Sequence, residues 1–315
     1  MDSKLEEKIE LLKKKYEASG QDINSHLDGL LYSEYLTYWD YIELDTLLSL
    51  QKPKTGFPDE PIFIIYHQIT ELYFNLILRE MEQMKVRGNQ IESDFFLERM
   101  ERVNRYFEAL TTSFEVMIDG MEKEQFLKFR MALLPASGFQ SAQYRKIEIG
   151  SAQFMRLIHV DQREKYTLNS SIAEMYEAIY WKWGATELAT GKKTLTLLQF
   201  EDKYSEELIR FGEGAAGRTL WDLALVLKEK GQLSDEIIAS LRKHDTLVNV
   251  TWPLAHYKSA VRYLQRKPED IAATGGTNWQ KYLPPRFQKR IFYPELWTEQ
   301  EMEEWGKSWV KDALS

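Results

Sequence analysis

The stretch from Pro61 to Met84, PIFIIYHQITELYFNLILREMEQM, predicts one long helix and sets the fold class. Apolar side chains recur in it at three- and four-residue steps, which is the spacing of a buried helical face. Pro61 suits the first turn of a helix, because an amide at that position needs no partner within the helix. We therefore expect a largely buried helix in the middle of the chain.

The rest of the sequence has the same helical periodicity, and no convincing alternating strand pattern interrupts it. Proline- and glycine-containing loops separate the segments at 51–58 and 134–138. The prediction is a single all-α domain over residues 1–315, which begins with a helical arm at residues 1–30. Further helices are expected at about residues 5–16, 30–50, 94–120, 123–134, 140–157, 168–188, 194–211, 220–230 and 234–264.

Composition excludes several classes of protein. The chain of 315 residues contains no cysteine, which excludes disulfides, iron–sulfur clusters, thiolate-ligated haem and a cysteine nucleophile. The formal charge of −8 argues against a nucleic-acid partner, because an acidic surface repels phosphate. No apolar run is long enough to cross a membrane, and the charged N-terminus does not look like a secretory signal. We expect a cytoplasmic protein with neither a nucleic-acid nor a membrane partner.

Histidines limit the metal chemistry that remains. There are five of them. Three have simple interpretations: His26 and His244 lie among polar residues and are expected at the surface, and His159 ends an apolar stretch and is expected to be structural or exposed. The other two are His67 and His256.

Both His67 and His256 lie within apolar helical sequence. Taken singly, each is typical of a hydrogen-bonded core histidine. Together, in a helical protein without cysteine, they suggest a haem pocket with one axial ligand and one histidine on the open face. A non-haem iron site made by His67, Glu71 and His256 is the alternative.

Arg130 and a glycine-containing loop are the remaining candidates. Helical spacing places Arg130 on one face with Phe126 and Leu133, where a cation needs a partner. That partner is either a carboxylate of the protein or the carboxylate of a ligand. The loop at 274–277, Thr-Gly-Gly-Thr, offers backbone amides to a ligand or forms a surface turn.

Several blocks of the chain resemble the tryptophan 2,3-dioxygenase family, in that family's order, between Tyr38 and Trp297. Residues from about 160 to 247 carry little of the resemblance and form a less typical helical segment. The matching blocks are Tyr38-x-x-Tyr41-Ile42-x-Leu44-Asp45-x-Leu47-Leu48-x-x-Gln51, Phe63-Ile64-Ile65-x-His67-Gln68-x-x-Glu71-Leu72, Phe129-Arg130 with Pro135-Ala136-Ser137-Gly138-Phe139-Gln140-Ser141-x-Gln143-Tyr144-Arg145, Trp252-x-x-x-His256, Thr274-Gly275-Gly276 and Pro294-Glu295-Leu296.

The resemblance implies an all-α dioxygenase that carries haem b, with ferrous iron in the active state, and assembles as a homotetramer. It implies cleavage of the indole C2–C3 bond of L-tryptophan with O₂. The product is N-formyl-L-kynurenine, and the reaction is the first step of tryptophan catabolism by the kynurenine route.

The resemblance also assigns roles to individual residues. His256 falls on the axial ligand of the haem iron, and His67 on the distal catalytic histidine that meets the indole N–H. Arg130 falls on the group that binds the substrate carboxylate, and Thr274 on a loop residue that contacts the substrate's ammonium and carboxylate. Two further sets match the walls of the pocket and residues that reach a neighbouring subunit's pocket: Phe63, Phe126 and Leu133, and Tyr38, Tyr41 and Ile42.

The loop that follows His256 departs from the family pattern. Seventeen residues separate His256 from Thr274, more than the family usually has, and Trp279 stands where the family is usually small. Two alternatives therefore remain: a related haem-dependent oxygenase acting on another indole or a modified tryptophan, and a haem sensor without turnover. The presence of Arg130 and His67 argues against the sensor, which has no need to bind an amino acid.

Overall fold

A computed structural model describes residues 3–33, 36–167, 169–186, 190–265, 285 and 289–307. The contacts within the chain divide it into two compact units, residues 1–52 and 53–315. Among the described residues there are helices and two isolated β-bridges, and no strand. The all-α prediction is therefore confirmed, whereas a single domain over the whole chain stays a prediction.

In its described residues, the first unit consists of four helices with almost no buried core. Ile23 is its one buried hydrophobic side chain among the described residues. The predicted helix at 30–50 is wrong, because the segment breaks into short pieces: the Thr37 hydroxyl caps a new helix, and Glu43 adopts a left-handed conformation with φ 52°. The four helices are α1 (Ser3–Ala18), α2 (Ile23–Tyr32), α3 (Tyr38–Tyr41) and α4 (Leu44–Leu48).

The second unit is built around the helix that the sequence predicted. Helix α5 extends from Glu60 to Arg87, with Pro61 in its first turn. Its buried face includes Tyr66, Phe74 and Ile77, and it packs against helices α6 and α9. The other α-helices among the described residues are α6 (Ser93–Ser113), α7 (Glu115–Asp119), α8 (Lys123–Phe129), α9 (Ala142–Ser151), α10 (Ile172–Glu177), α11 (Tyr180–Gly184), α12 (Leu195–Ala215), α13 (Leu220–Glu229), α14 (Asp235–Thr246), α15 (Trp252–Leu264) and α16 (Glu299–Glu303).

Several predicted helices are shorter or divided. The helix expected at 168–188 is two short helices, α10 and α11, separated at Ile179, which forms an isolated β-bridge with Ile158. Local capping explains the first of them, because Ser171 and Glu174 form a capping box that starts α10. The segment expected at 140–157 is interrupted by extended backbone at Ala152.

The segment from Asp235 to Leu264 is helical throughout but not uniform. Between α14 and α15 lies a π-helical turn, Leu247–Thr251, in which the Trp252 amide bonds to the Leu247 carbonyl five residues earlier. The sequence predicted the helix at 234–264 but not this turn. No helix in the described part of the chain is long and apolar enough to cross a membrane.

Candidate functional site

A cavity of about 250 Å³ lies inside the second unit, and we call it the central cavity. Helices α5, α9 and α15 supply most of its wall. Its apolar and aromatic lining is Tyr66, Phe74, Phe114, Phe139, Tyr144, Tyr180, Trp252, Pro253, Ala260 and Leu264. Its remaining lining is His67, Thr70, Glu71, Ser137, Gly138, Ser141, Arg145, His256 and Arg290.

His67 lies on α5 and lines the central cavity. Its Nδ1 is 2.7 Å from the carbonyl oxygen of Phe63, one turn earlier. A carbonyl only accepts, so Nδ1 carries the proton and Nε2 keeps its lone pair. Burial lowers the pKa of His67, although the Phe63 carbonyl and the Glu71 carboxylate partly oppose this shift. The imidazole is therefore neutral at neutral pH, with Nε2 as an acceptor.

His256 lies on α15 and lines the same cavity. Its Nδ1 is 3.0 Å from the carbonyl oxygen of Trp252, again four residues earlier. Burial, helped by the nearby His67 and opposed by the hydrogen bond to the Trp252 carbonyl, lowers the pKa of His256 to about 4. This is the state of a metal-binding histidine, because the backbone fixes the ring and Nε2 is free to donate its lone pair.

Aromatic rings surround both histidines. The Phe63 ring centroid lies 4.1 Å from that of His67, and Phe63 in turn contacts Phe126. The Phe114 ring lies 4.5 Å from His256. Of the expected wall residues, Phe63 and Phe126 thus form a layer beside the central cavity rather than its lining.

Arg130 and Leu133 lie in a 3₁₀ turn that continues from α8. Arg130 is buried, with 6% of its surface exposed, and burial lowers its pKa. A guanidinium nevertheless stays charged at neutral pH. Leu133 is half-buried and packs against the core. Neither residue lines the central cavity. The preceding residue, Phe129, packs against Phe63, so the turn lies next to the aromatic layer.

A buried ionic cluster forms one side of the cavity, and the sequence analysis missed it. The Glu148 carboxylate is fully buried and accepts hydrogen bonds from Arg145 at 2.9 Å, from the Tyr180 hydroxyl at 2.5 Å, and from Arg290. The spacing of Arg145 and Glu148, three residues apart on a helix, could have suggested their pairing. Tyr180 and Arg290 are too distant in the sequence for any local signal.

Glu71 lines the cavity beside His67 and is held by Gln143. The Gln143 side-chain amide donates to the Glu71 carboxylate at 2.8 Å and to the Glu71 carbonyl at 2.9 Å. Among the described residues, no three histidine or acidic side chains are grouped so that they could hold a metal ion. The non-haem iron site of His67, Glu71 and His256 is therefore not supported.

Other expected site residues fall elsewhere. Thr274 lies outside the described residues. Tyr38, Tyr41 and Ile42 belong to the first unit, where the two tyrosines are exposed and Ile42 is half-buried.

One prediction for the remaining histidines is wrong. His244, expected at the surface, is completely buried. Its Nε2 lies 2.9 Å from the Ser151 hydroxyl, and the Phe107 ring lies beside it. Polar neighbours in sequence misled the prediction, because the apolar partners come from other elements. His26 is exposed as expected, and His159 is half-buried and stacks on Trp183.

The donor chemistry of the central cavity fits a haem group. His256 offers a neutral imidazole nitrogen with a fixed ring, which is the proximal ligand that many haem proteins use. The lining around it is mainly apolar and includes several aromatic rings, and Arg145 and Arg290 provide positive charge in the wall. Fold and site together define an all-α protein with two neutral histidines on one mainly apolar cavity.

Comparison with known proteins identifies the family. The tryptophan 2,3-dioxygenase family profile matches residues 25–180. Tryptophan 2,3-dioxygenase 2 of Ralstonia nicotianae is 43% identical over 126 residues, covering 36% of this chain and 33% of that relative. Over longer alignments, the tryptophan 2,3-dioxygenases of Bacillus thuringiensis subsp. konkukian and Caulobacter vibrioides are 26% and 27% identical, covering 84% of this chain and 92% and 97% of those proteins. The chain belongs to the tryptophan 2,3-dioxygenase family.

Proposed function

We propose that the protein is a haem-dependent dioxygenase that cleaves the indole C2–C3 bond of L-tryptophan with O₂ and forms N-formyl-L-kynurenine. This is the first step of tryptophan catabolism by the kynurenine route. The observation that carries the proposal is the pair of neutral histidines, His67 and His256, on one cavity. Membership of the family and the names of the relatives support the same reaction.

His256 would hold haem b through Nε2. Its Nδ1–H is already committed to the Trp252 carbonyl, so the ring cannot turn away without losing that hydrogen bond. Phe114 packs on the ring and restricts it further. When bound, the ferrous haem supplies the activation of O₂ that no side chain of this chain provides.

His67 would accept a hydrogen bond from the indole N–H. Its Nδ1 proton is bound to the Phe63 carbonyl, so Nε2 is the acceptor. The lowered pKa of His67 keeps this nitrogen unprotonated at neutral pH. The contribution of His67 is to orient the indole ring, which removes the entropic cost of aligning the reactants.

Arg130 would bind the substrate carboxylate, with Thr274 contacting the carboxylate and the ammonium. Arg130 is buried, so a carboxylate that reaches it gives a charge-assisted hydrogen bond shielded from water. Phe63, Phe126 and Leu133 would enclose the indole beside His67. A homotetramer, in which Tyr38, Tyr41 and Ile42 reach a neighbouring pocket, and a cytoplasmic location complete the proposal.

The experiment is a spectrum of the reduced, haem-reconstituted protein, followed by addition of L-tryptophan and air. A Soret band and accumulation of N-formylkynurenine are expected. A Soret band without this product, but with turnover of another indole, would favour the related oxygenase. A Soret band without any turnover would favour a haem sensor, and absence of haem binding would overturn the proposal.

A further inference from the structure

The helix that carries His256 contains a π turn immediately before it. In this turn the Trp252 amide bonds to the Leu247 carbonyl, and the Thr251 hydroxyl bonds to the Thr246 carbonyl at 3.3 Å, each five residues back. A π turn accommodates one residue more than an α-helical turn without ending the helix. Because each α-helical residue advances about 100° around the axis, the extra residue rotates everything after it by about that angle.

This rotation decides which side of the helix His256 occupies. On an uninterrupted α-helix, His256 would lie about 120° around the axis from the buried His244, twelve residues earlier. With one residue absorbed by the π turn, the angle falls to about 20°. The turn therefore keeps His256 on the buried side of the helix, where it lines the central cavity.

Asp245 ties this turn to the C-terminal segment. Its carboxylate is completely buried and accepts a hydrogen bond from the Asn249 side chain, inside the turn, at 2.7 Å. It also accepts from the backbone amides of Phe292 and Tyr293 at 2.9 and 3.2 Å, and from the Trp297 indole at 3.0 Å. Four donors on one buried carboxylate hold the turn against a separate part of the chain.

Tyr144 makes a second contact that holds the turn. A π turn leaves one carbonyl of the helix without an amide donor, and a buried carbonyl needs a partner. The Tyr144 hydroxyl, from α9, donates to the Val248 carbonyl at 3.0 Å. The donor to this carbonyl is thus a side chain that itself lines the central cavity.

Trp252 links the turn to the imidazole. Its amide makes the π-type bond to Leu247, and its carbonyl accepts from Nδ1 of His256. We propose that Asp245 and Tyr144 are positioning residues, which hold the π turn in the register that aims His256 at the cavity. The link to catalysis rests on the proposed function, whereas the geometry of His256 does not.

The test uses haem-free protein labelled with ¹⁵N-histidine, because five histidines give a simple spectrum. In the wild type we expect His256 as the Nδ1–H tautomer. In Asp245→Asn and in Tyr144→Phe we expect a mixture of tautomers at His256 and a haem affinity lower by about 10- to 100-fold, the usual effect of removing the support of a ligand. Tyr144→Phe loses one hydroxyl only and remains informative where Asp245→Asn does not fold.

Asn104→Ala is the matched control. The Asn104 side chain donates to the Ser240 carbonyl at 2.9 Å, on the same helix but before the π turn. This variant should lower stability and leave the His256 tautomer unchanged. An unchanged His256 tautomer in both test variants would overturn the inference. If the wild type binds no haem, the proposed function fails, while the tautomer measurement still decides the positioning role.

Discussion

His67 and His256 line one cavity from two helices, and each donates its Nδ1 proton to the carbonyl four residues earlier. The two rings therefore share one tautomer, with Nε2 unprotonated in both. The same free nitrogen would serve two different roles. That of His256 would hold the iron of a bound haem, and that of His67 would accept a hydrogen bond from an N–H group of the substrate.

The first prediction separates these two roles. His256→Ala should abolish stable haem binding, because the nitrogen that would bind the iron is lost. His67→Ala should retain haem and lower kcat/KM for tryptophan. The measurement is the haem content per chain after reconstitution, from the Soret band, together with steady-state kinetics. His159→Ala, which removes a half-buried histidine outside the cavity, is the control.

Full haem content in His256→Ala would contradict the assignment of the ligand. Equal loss of haem in both variants would contradict the division of roles.

A second prediction concerns Arg130. Arg130→Ala should raise KM for tryptophan by about 10- to 150-fold, since a buried charge-assisted pair contributes about 1.5–3 kcal/mol to binding. Haem content should stay unchanged. Arg130→Lys should recover part of the loss, because a lysine keeps the charge but not the two-pronged geometry. An unaltered KM in Arg130→Ala would show that another group binds the carboxylate.

The buried His244 gives a prediction about pH. Burial lowers the pKa of His244 to about 3 from 6.5, and its Nδ1 has no hydrogen-bond partner among the described residues. Between these two pH values the unfolded chain binds a proton at this histidine and the folded chain does not. The free energy of unfolding should therefore fall as the pH is lowered through this window, by about 1.4 kcal/mol per pH unit from this group.

Chemical denaturation of the haem-free protein at pH 7, 6 and 5 measures this slope. His244→Gln keeps a donor for Ser151 but cannot titrate, so its slope should be smaller by that amount. The exposed His26→Gln is the control and should keep the wild-type slope. Equal slopes for His244→Gln and the wild type would contradict the assignment.

The sequence predicted the fold class and the central helix because their signals are local. The apolar spacing of 61–84 is complete within one segment, and Pro61 marks its start. The same local reasoning placed His244 at the surface, since its contacts with Phe107 and Ser151 come from elements far away in the sequence. Burial that depends on distant partners has no local pattern.

The candidate site likewise has parts that the sequence could predict and parts that it could not. His67 and His256 were accessible to sequence reasoning, because each lies in apolar helical sequence and the chain has few histidines. The π turn that orients His256 could not be predicted from the sequence. Tyr144, whose hydroxyl donates to the Val248 carbonyl of the turn, lies more than a hundred residues away. The ionic cluster around Glu148 requires Arg290 from the C-terminal part of the chain, and it could not be predicted either.

The last prediction concerns the sharing of pockets between subunits. Tyr41 is 76% exposed in this chain, so its ring is available for contact with a neighbouring subunit. If Tyr41 completes a neighbour's pocket, Tyr41→Ala should lower kcat/KM by about tenfold, equivalent to about 1.4 kcal/mol of lost contact. Tyr32→Ala, which alters another exposed tyrosine of the first unit, is the control.

Co-expression of Tyr41→Ala chains with Arg130→Ala chains distinguishes a shared pocket from a pocket within one chain. In a shared pocket, Arg130 and Tyr41 come from different subunits. Random mixing in a symmetric oligomer then leaves about a quarter of the pockets with both wild-type residues, and activity should rise above that of either variant alone. In a pocket within one chain, every chain carries one defect and mixing restores nothing. Absence of recovery in mixed oligomers, confirmed by mass spectrometry to contain both chains, would therefore place Tyr41 outside the neighbouring site.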